Sequence, residues 1–165
     1  MAAAGTCPAP SAAPGCAVRS ARREEAEELA ALSRPFARSG ALRERPVSLY
    51  AARAAEFLVV RAPGGPVEGA VALRVHPGEA GAVGVVYNFC VAGPRQGCGV
   101  GAGLLRAVLD RARTQSLGAL FTATTGSGGL FLRHGFAPTA AHRAPQAWAR
   151  SLDPRRGARI LARAL

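Results

Sequence analysis

Apolar positions recur along this chain with two different periods, and the changes of period divide it into elements. From Arg23 to Arg34, followed by Phe36, Ala26, Leu29, Leu32 and Phe36 fall at near-helical spacing, which predicts a first helix ended by Pro35. A short strand is predicted ahead of it, from Cys16 to Ala21, and a second, shorter helix after it, from Val47 to Ala54. Glu56 to Arg61 (EFLVVR) is β-branched and apolar and reads as a strand, closed by the turn Pro63-Gly64-Gly65-Pro66. Val67 to Val75 and Ala82 to Val91 are two further strands; the Pro77-Gly78 step between them predicts a hairpin and an antiparallel pair. Gly99 to Ser116 is the clearest helix, with Leu104, Leu105, Val108, Leu109 and Ala112 on one face and Gly118 as its C-cap. Ala119 to Thr124 reads as a strand, and Ser127 to His134 as a short helix with Ser127 at its N-cap. Arg159 to Leu165 (RILARAL) is too short for periodicity to choose between strand and helix.

The chain has 165 residues, enough for one core, and the pattern places that domain at residues 16–165. Residues 1–15 hold Pro8, Pro10 and Pro14 among small residues and are expected to form a disordered tail. Much of the 49% hydrophobic content is alanine, so the core must rest on Leu, Val and six Phe, with Trp148 as a packing anchor under the C-terminal segment. The first residues lack the pattern of a secretory signal, and no apolar run reaches membrane-spanning length, which points to a cytoplasmic protein without a membrane segment. Cys7, Cys16, Cys90 and Cys98 show neither CxxC spacing nor a cluster with histidine, so no metal is expected and reduced thiols are the simpler account.

Charge sharpens this picture. All 21 basic residues are arginine, and the formal net charge is +11. Four acids, Glu24, Glu25, Glu27 and Glu28, complement the positive end of the first helix and so have a structural explanation. From Ala92 onward eleven arginines face only Asp110 and Asp153, a field that draws anionic ligands inward. Either a nucleotide cofactor or a nucleic acid would respond to it. The arginines are not interleaved with aromatics as in single-strand binders, which argues against nucleic acid.

A strand followed by Gly93-Pro94-Arg95-Gln96-Gly97-Cys98-Gly99-Val100-Gly101 and then a strong helix carries the chemistry. A glycine-rich turn opening a helix aims several unpaired N–H groups at one point, where the helix dipole adds positive potential. The same residues could serve as a tight loop and nothing more. No Gly-Lys-Ser/Thr follows, so it is not a P-loop, and a dinucleotide fingerprint would need a third glycine and a downstream acid that are not in place.

Gln96-Gly97-Cys98-Gly99-Val100-Gly101 resembles the acyl-CoA signature Q/R-x-x-G-x-G/A of the GNAT N-acyltransferases. Leu130-Phe131-Leu132-Arg133-His134-Gly135-Phe136 is similar to the family's short helix followed by Gly-Phe. Ser48-Leu49-Tyr50, the strand Leu120 to Thr125 and a closing Arg-x-x-Arg-Ile-Leu segment resemble more narrowly the amino-acid N-acetyltransferases related to acetylglutamate synthase.

The resemblance implies an α/β (α+β) GNAT fold, a mixed and mostly antiparallel sheet flanked by helices, with Ala158 to Ala164 as its last strand. It implies acetyl-CoA as co-substrate, held by Phe89, Cys90, Val91, Gln96, Gly97, Cys98, Gly99, Val100, Gly101 and Phe131. The acetyl group would pass to a primary amine of a small molecule, an amino acid among the candidates, by direct attack through a tetrahedral intermediate. A homodimer is compatible with the family.

Relatives often place a glutamate near Val85 or Tyr87 and a tyrosine where this chain has Phe131; here either the thiolate leaves unaided or protonated by water, or another group such as Tyr87 or Thr125 reaches it, and the base lies elsewhere. Tyr87 and Glu79 are the candidates, beside His76. Cys90 and Cys98 read as small packing residues rather than nucleophiles, and His134 and His142 as solvent-edge residues. The competing readings are a non-catalytic basic module that binds CoA or polyanions, and a protein N-acetyltransferase.

Overall fold

The computed structural model describes residues 17–165; the expected tail, with Cys7 and Cys16, lies outside the described residues. In chain order the elements are β1 (Arg19–Ser20), α1 (Ala26–Arg38), α2 (Val47–Ala52), β2 (Phe57–Arg61), β3 (Val67–His76) and β4 (Val83–Val91). Then come α3 (Val100–Thr114), β5 (Ala119–Thr124), α4 (Gly129–Arg133), β6 (Ala137–Pro138), α5 (Gln146–Ser151) and β7 (Arg159–Ala164). The strands form one sheet in the order β1-β2-β3-β4-β5-β7-β6. Only β4 and β5 run parallel; every other neighbouring pair is antiparallel.

Strand alternation sends successive side chains to opposite faces, and here both faces are covered, which explains the nearly continuous apolar runs. Leu58, Val60, Val71, Leu73 and Val86 pack with Leu104, Leu105 and Val108 of α3 on one face. Phe57, Val59, Ala70 and Ala72 pack with Leu29 of α1 and Tyr50 of α2 on the other. A third cluster joins Val85 and Phe121 to Trp148, Ile160 and Ala162, the anchoring role expected of the tryptophan.

Two expected helix ends move. Pro35 lies inside α1 rather than ending it. A proline withholds one N–H but leaves its carbonyl free, and here that carbonyl accepts from Ser39 N–H at 3.1 Å. The stop comes at Gly40, whose φ of +82° lets Leu42 N–H reach back to the Phe36 carbonyl at 3.1 Å. At the end of α3, Ser116 takes the left-handed position expected of Gly118, with φ +56° and Leu117 N–H bonded to the Ala112 carbonyl at 3.0 Å. Gly118 instead donates to the Ala82 carbonyl at 2.9 Å, joining the start of β5 to the residue before β4.

The acidic run at the head of α1 ties that helix to the sheet. Glu25, 6% exposed, accepts from Arg19 at 2.5 Å, Arg61 at 3.2 Å and the Arg22 N–H at 2.8 Å. Glu28 accepts from Arg61 at 2.6 Å. The hydrogen bond from Arg19 is the largest influence holding the Glu25 carboxyl down at about 2. The unfolded chain takes up that proton at a higher pH than the folded one, so the pair stabilises the fold above about pH 4.5 and is lost as pH falls towards 2. Urea unfolding should lose roughly 1–2 kcal/mol of stability over that interval, and Glu25→Gln should flatten the loss. An unchanged pH profile in the variant would contradict this assignment.

Candidate active site

The parallel pairing of β4 with β5 lasts for three registers, Gly84 with Leu120, Val85 with Phe121 and Val86 with Thr122. Thr122 Oγ1 donates to the Val86 carbonyl at 2.9 Å where this pairing ends. Beyond it β4 follows β3 alone. The cause is a bulge: Tyr87 faces Ala72 and Cys90 faces Ala70, so Asn88 and Phe89 together stand opposite Val71. Asn88 carries the distortion with φ +50°, which asparagine tolerates better than other residues with a Cβ. From Phe89 to Val91, β4 therefore has an edge without a strand beside it, and a gap opens towards β5.

At the mouth of this gap the chain turns through Gly93–Arg95 and Gln96 to Gly99 into α3. Gly97 and Gly99 have φ of +78° and +84°. A Cβ at either would meet no atom within 4 Å, so backbone conformation rather than crowding requires glycine there. Gly101 differs: its Cβ would lie 3.2 Å from Leu130 Cδ2 and 3.5 Å from Phe89 Cζ, so glycine lets α3 approach α4 and β4.

Among the described residues, no backbone acceptor is found for the N–H groups of Gly97, Gly99, Val100, Gly101 and Ala102. These donors at the positive end of a 15-residue helix suit an anion. The loop is fastened from behind. Gln96 Nε2 donates to the Val91 carbonyl at 3.0 Å, and Arg95 Nε lies 3.1 Å from Glu68 Oε2, near enough for an ion pair but off the line of a hydrogen bond. Thus the Gln96 side chain holds the loop in place, while the backbone beyond it presents the donors.

Phe131 of α4 lies on the same side, its ring 5.5 Å from Phe89 and 5.3 Å from Phe136 in edge-on contacts. It offers an apolar wall and no proton. Cys90 is 3% exposed, and burial pushes its thiol up to about 12, so it remains a neutral packing group as read from the sequence.

On the opposite face of the sheet from α3 lies a cleft of about 480 Å³. Arg74 and His76 of β3 and Val85 and Tyr87 of β4 line one wall, on the face shared by their register partners. Its lining includes Arg43, Arg45, Arg53, Arg74 and Arg156, with Glu44 as the one acid. Arg156 is committed to the Gly40 and Ala41 carbonyls at 2.9 and 3.1 Å. Among the described residues Arg45, Arg53 and Arg74 enter no ion pair. Burial lowers the Arg45 pKa from its ordinary value, the mark of a cation set where its charge is unsupported by a carboxylate.

Tyr87 donates a short hydrogen bond to Glu56, which precedes β2, and Arg45 sits over its ring at 5.2 Å. Burial first, and Glu56 second, raise the phenol above its ordinary range, so it holds its proton at neutral pH. Burial and Arg74 lower His76, keeping the imidazole neutral. Glu79 is exposed in the β3–β4 turn and is not among the cleft residues. Sequence reasoning missed Glu56, Arg45 and Asn88. Only Asn88 left a signal, a polar residue interrupting the apolar run VVYNFCV.

The model of the GNAT acetyltransferase domain matches residues 53–138, from the turn before β2 to β6. The chain belongs to the GNAT acetyltransferase family. Solved structures agree in fold. N-acetylglutamate synthase from Neisseria gonorrhoeae, complexed with coenzyme A and N-acetyl-glutamate, is 27% identical, with a TM-score of 0.83 over 90% of this chain. The match takes in 35% of the synthase chain, so the present chain spans about a third of that protein's length. A Mycobacterium tuberculosis protein in complex with CoA is 23% identical, with a TM-score of 0.77 over 90% of this chain and 99% of that one. A GNAT acetyltransferase from Staphylococcus aureus is 14% identical, with a TM-score of 0.72 over 90% and 98% of the two chains. No curated protein matches the GNAT chain in sequence. Among the described residues of this GNAT domain no helix is long and apolar enough to cross a membrane.

Proposed function

We propose that this GNAT domain transfers an acetyl group from acetyl-CoA to the primary amine of a small molecule bearing a carboxylate, an amino acid being the simplest such acceptor. The support lies in one arrangement: an unpaired amide cradle opens at one side of the β4–β5 gap and an arginine-lined cleft at the other. The neighbouring synthase, whose structure holds coenzyme A and N-acetyl-glutamate, points to the same class of acceptor.

Acetyl-CoA supplies an activated thioester. The amides of Gly97 and of Gly99 to Ala102 would hold its diphosphate, and Phe89 and Phe131 would flank its arm. The open edge of β4 from Phe89 to Val91 would present backbone donors to the oxyanion that develops as the amine attacks. The new C–N bond forms first and gives the tetrahedral intermediate, whose collapse breaks the C–S bond and releases coenzyme A as its thiolate. The surplus proton on nitrogen passes to Tyr87 Oη while the phenolic proton moves to Glu56, which that hydroxyl already contacts. Neutral His76 stands on the same wall as a second acceptor. Glu79, exposed in its turn, takes no part.

Acetyl-CoA-dependent thiol release over a panel of amines tests this reading. Amino acids should give turnover and their amides markedly less, and Tyr87→Phe should lower kcat roughly 10- to 100-fold with the KM for acetyl-CoA nearly unchanged. Binding of acetyl-CoA without turnover on any amine would remove the transferase assignment.

A further inference from the structure

Asn88 is held more firmly than a bulge requires. Glycine reaches a φ of +50° at no steric cost, yet the chain places a side chain there and buries it to 3% exposure. Each polar atom of that side chain is engaged. Oδ1 accepts from the Tyr50 hydroxyl of α2 at 3.2 Å and from Arg45, between α1 and α2, at 3.1 Å. Nδ2 donates to Ser33 Oγ of α1 at 3.0 Å, and Ser33 Oγ donates onward to the Leu29 carbonyl at 2.8 Å. Three segments thus fix one strained residue, a condition under which strain persists in a fold. Asn88 precedes the stretch of β4 with the open edge, and its partner Arg45 lines the acceptor cleft.

We propose that Asn88 is a positioning residue for acetyl transfer: it locks the β4 bulge so that the following amides face the gap, and through Arg45 it links that geometry to the acceptor. The proposal rests on the N-acetyltransferase reading above. An acceptor carboxylate drawn to Arg45 would hold the guanidinium against Oδ1, stiffening the bulge as the reacting carbonyl is polarised. Arg45 thereby serves two sites at once.

Three variants separate side chain from backbone. Asn88→Gly keeps the left-handed conformation and removes every side-chain bond; Asn88→Asp keeps the oxygen that accepts from Tyr50 and Arg45; Asn88→Ala loses both properties. Calorimetry with coenzyme A, steady-state kinetics, and the infrared stretch of bound, carbonyl-labelled acetyl-CoA are the readouts. The glycine variant should bind coenzyme A within about threefold of wild type yet lose roughly 10- to 100-fold in kcat. Its bound carbonyl stretch should move towards that of the free thioester, a change that a purely structural role would not produce. The aspartate variant should keep most of the polarisation, and Arg45→Met combined with Asn88→Gly should cost less than the two separate losses multiplied. A glycine variant with wild-type kcat and an unmoved stretch would overturn the positioning role and leave the transferase reading standing. A wild-type chain that binds no acetyl-CoA would end the transferase reading, and this proposal with it.

Discussion

Gly99→Val should lower the affinity for coenzyme A about 100-fold while leaving the fold intact. Gly99 is the N-cap of α3 and has φ +84°, a conformation that a β-branched residue rejects at a cost of about 1–2 kcal/mol or more. No neighbour would stop the added side chain, since nothing lies within 4 Å of the new Cβ. The strain must therefore be relieved by turning the backbone, and the N–H groups of Gly99 to Ala102 would no longer converge on one point. Far-ultraviolet circular dichroism should match the wild type, because α3 is anchored by Leu104, Leu105 and Val108, each 0% exposed. Calorimetry with coenzyme A measures the effect; affinity within threefold of wild type would show that the loop does not carry the diphosphate. Gly103 makes a control, being a helical glycine with open space around its Cβ.

The second large effect is expected at Arg45→Met, which should raise the KM for a carboxylate-bearing amine roughly 10- to 100-fold, the worth of a charged hydrogen bond. Methionine retains an apolar stem for the face of Tyr87, so the change removes mainly the cation. Binding of coenzyme A should be nearly unaffected, since Arg45 lines the cleft on the face away from α3. The discriminating measurement pairs each acid acceptor with its amide. In wild type the acid should be preferred; in the variant the preference should shrink, and an undiminished preference would place the carboxylate elsewhere.

Local pattern revealed the parts of this molecule that local pattern builds. The β3–β4 hairpin, the apolar stripe of α3, the strand Ala119–Thr124 and the glycine turn before α3 each follow from residues within about a dozen positions of one another. The closing segment is ambiguous by period and reads as a strand only through the family resemblance; it pairs with β5 in six registers. Helix ends are less legible, because Gly118 is a good cap in isolation, whereas in the fold Ser116 takes the left-handed turn and Gly118 is bonded to Ala82, a residue 36 positions away. The helix Gln146–Ser151 is not legible in the sequence, since six residues contain too little period. The proposed proton route is hidden for a different reason. Glu56 and Tyr87 are 31 positions apart and meet only in the folded chain, as do Arg45 and Asn88, 43 apart. Tyr87 was legible as a candidate through its place on the strand before the loop, whereas Glu79, attractive as the nearest acid in sequence, is carried away from the cleft by its hairpin turn.

The brief parallel contact between β4 and β5 has a consequence for the order of events. Because a sheet is ordinarily a closed partition, reagents on its two sides do not meet; here the partition has a slit, with the glycine loop on one side and the arginine-lined cleft on the other. On the proposed function, neither molecule blocks the other's entrance, both must be present together, and the acetyl unit alone crosses the slit.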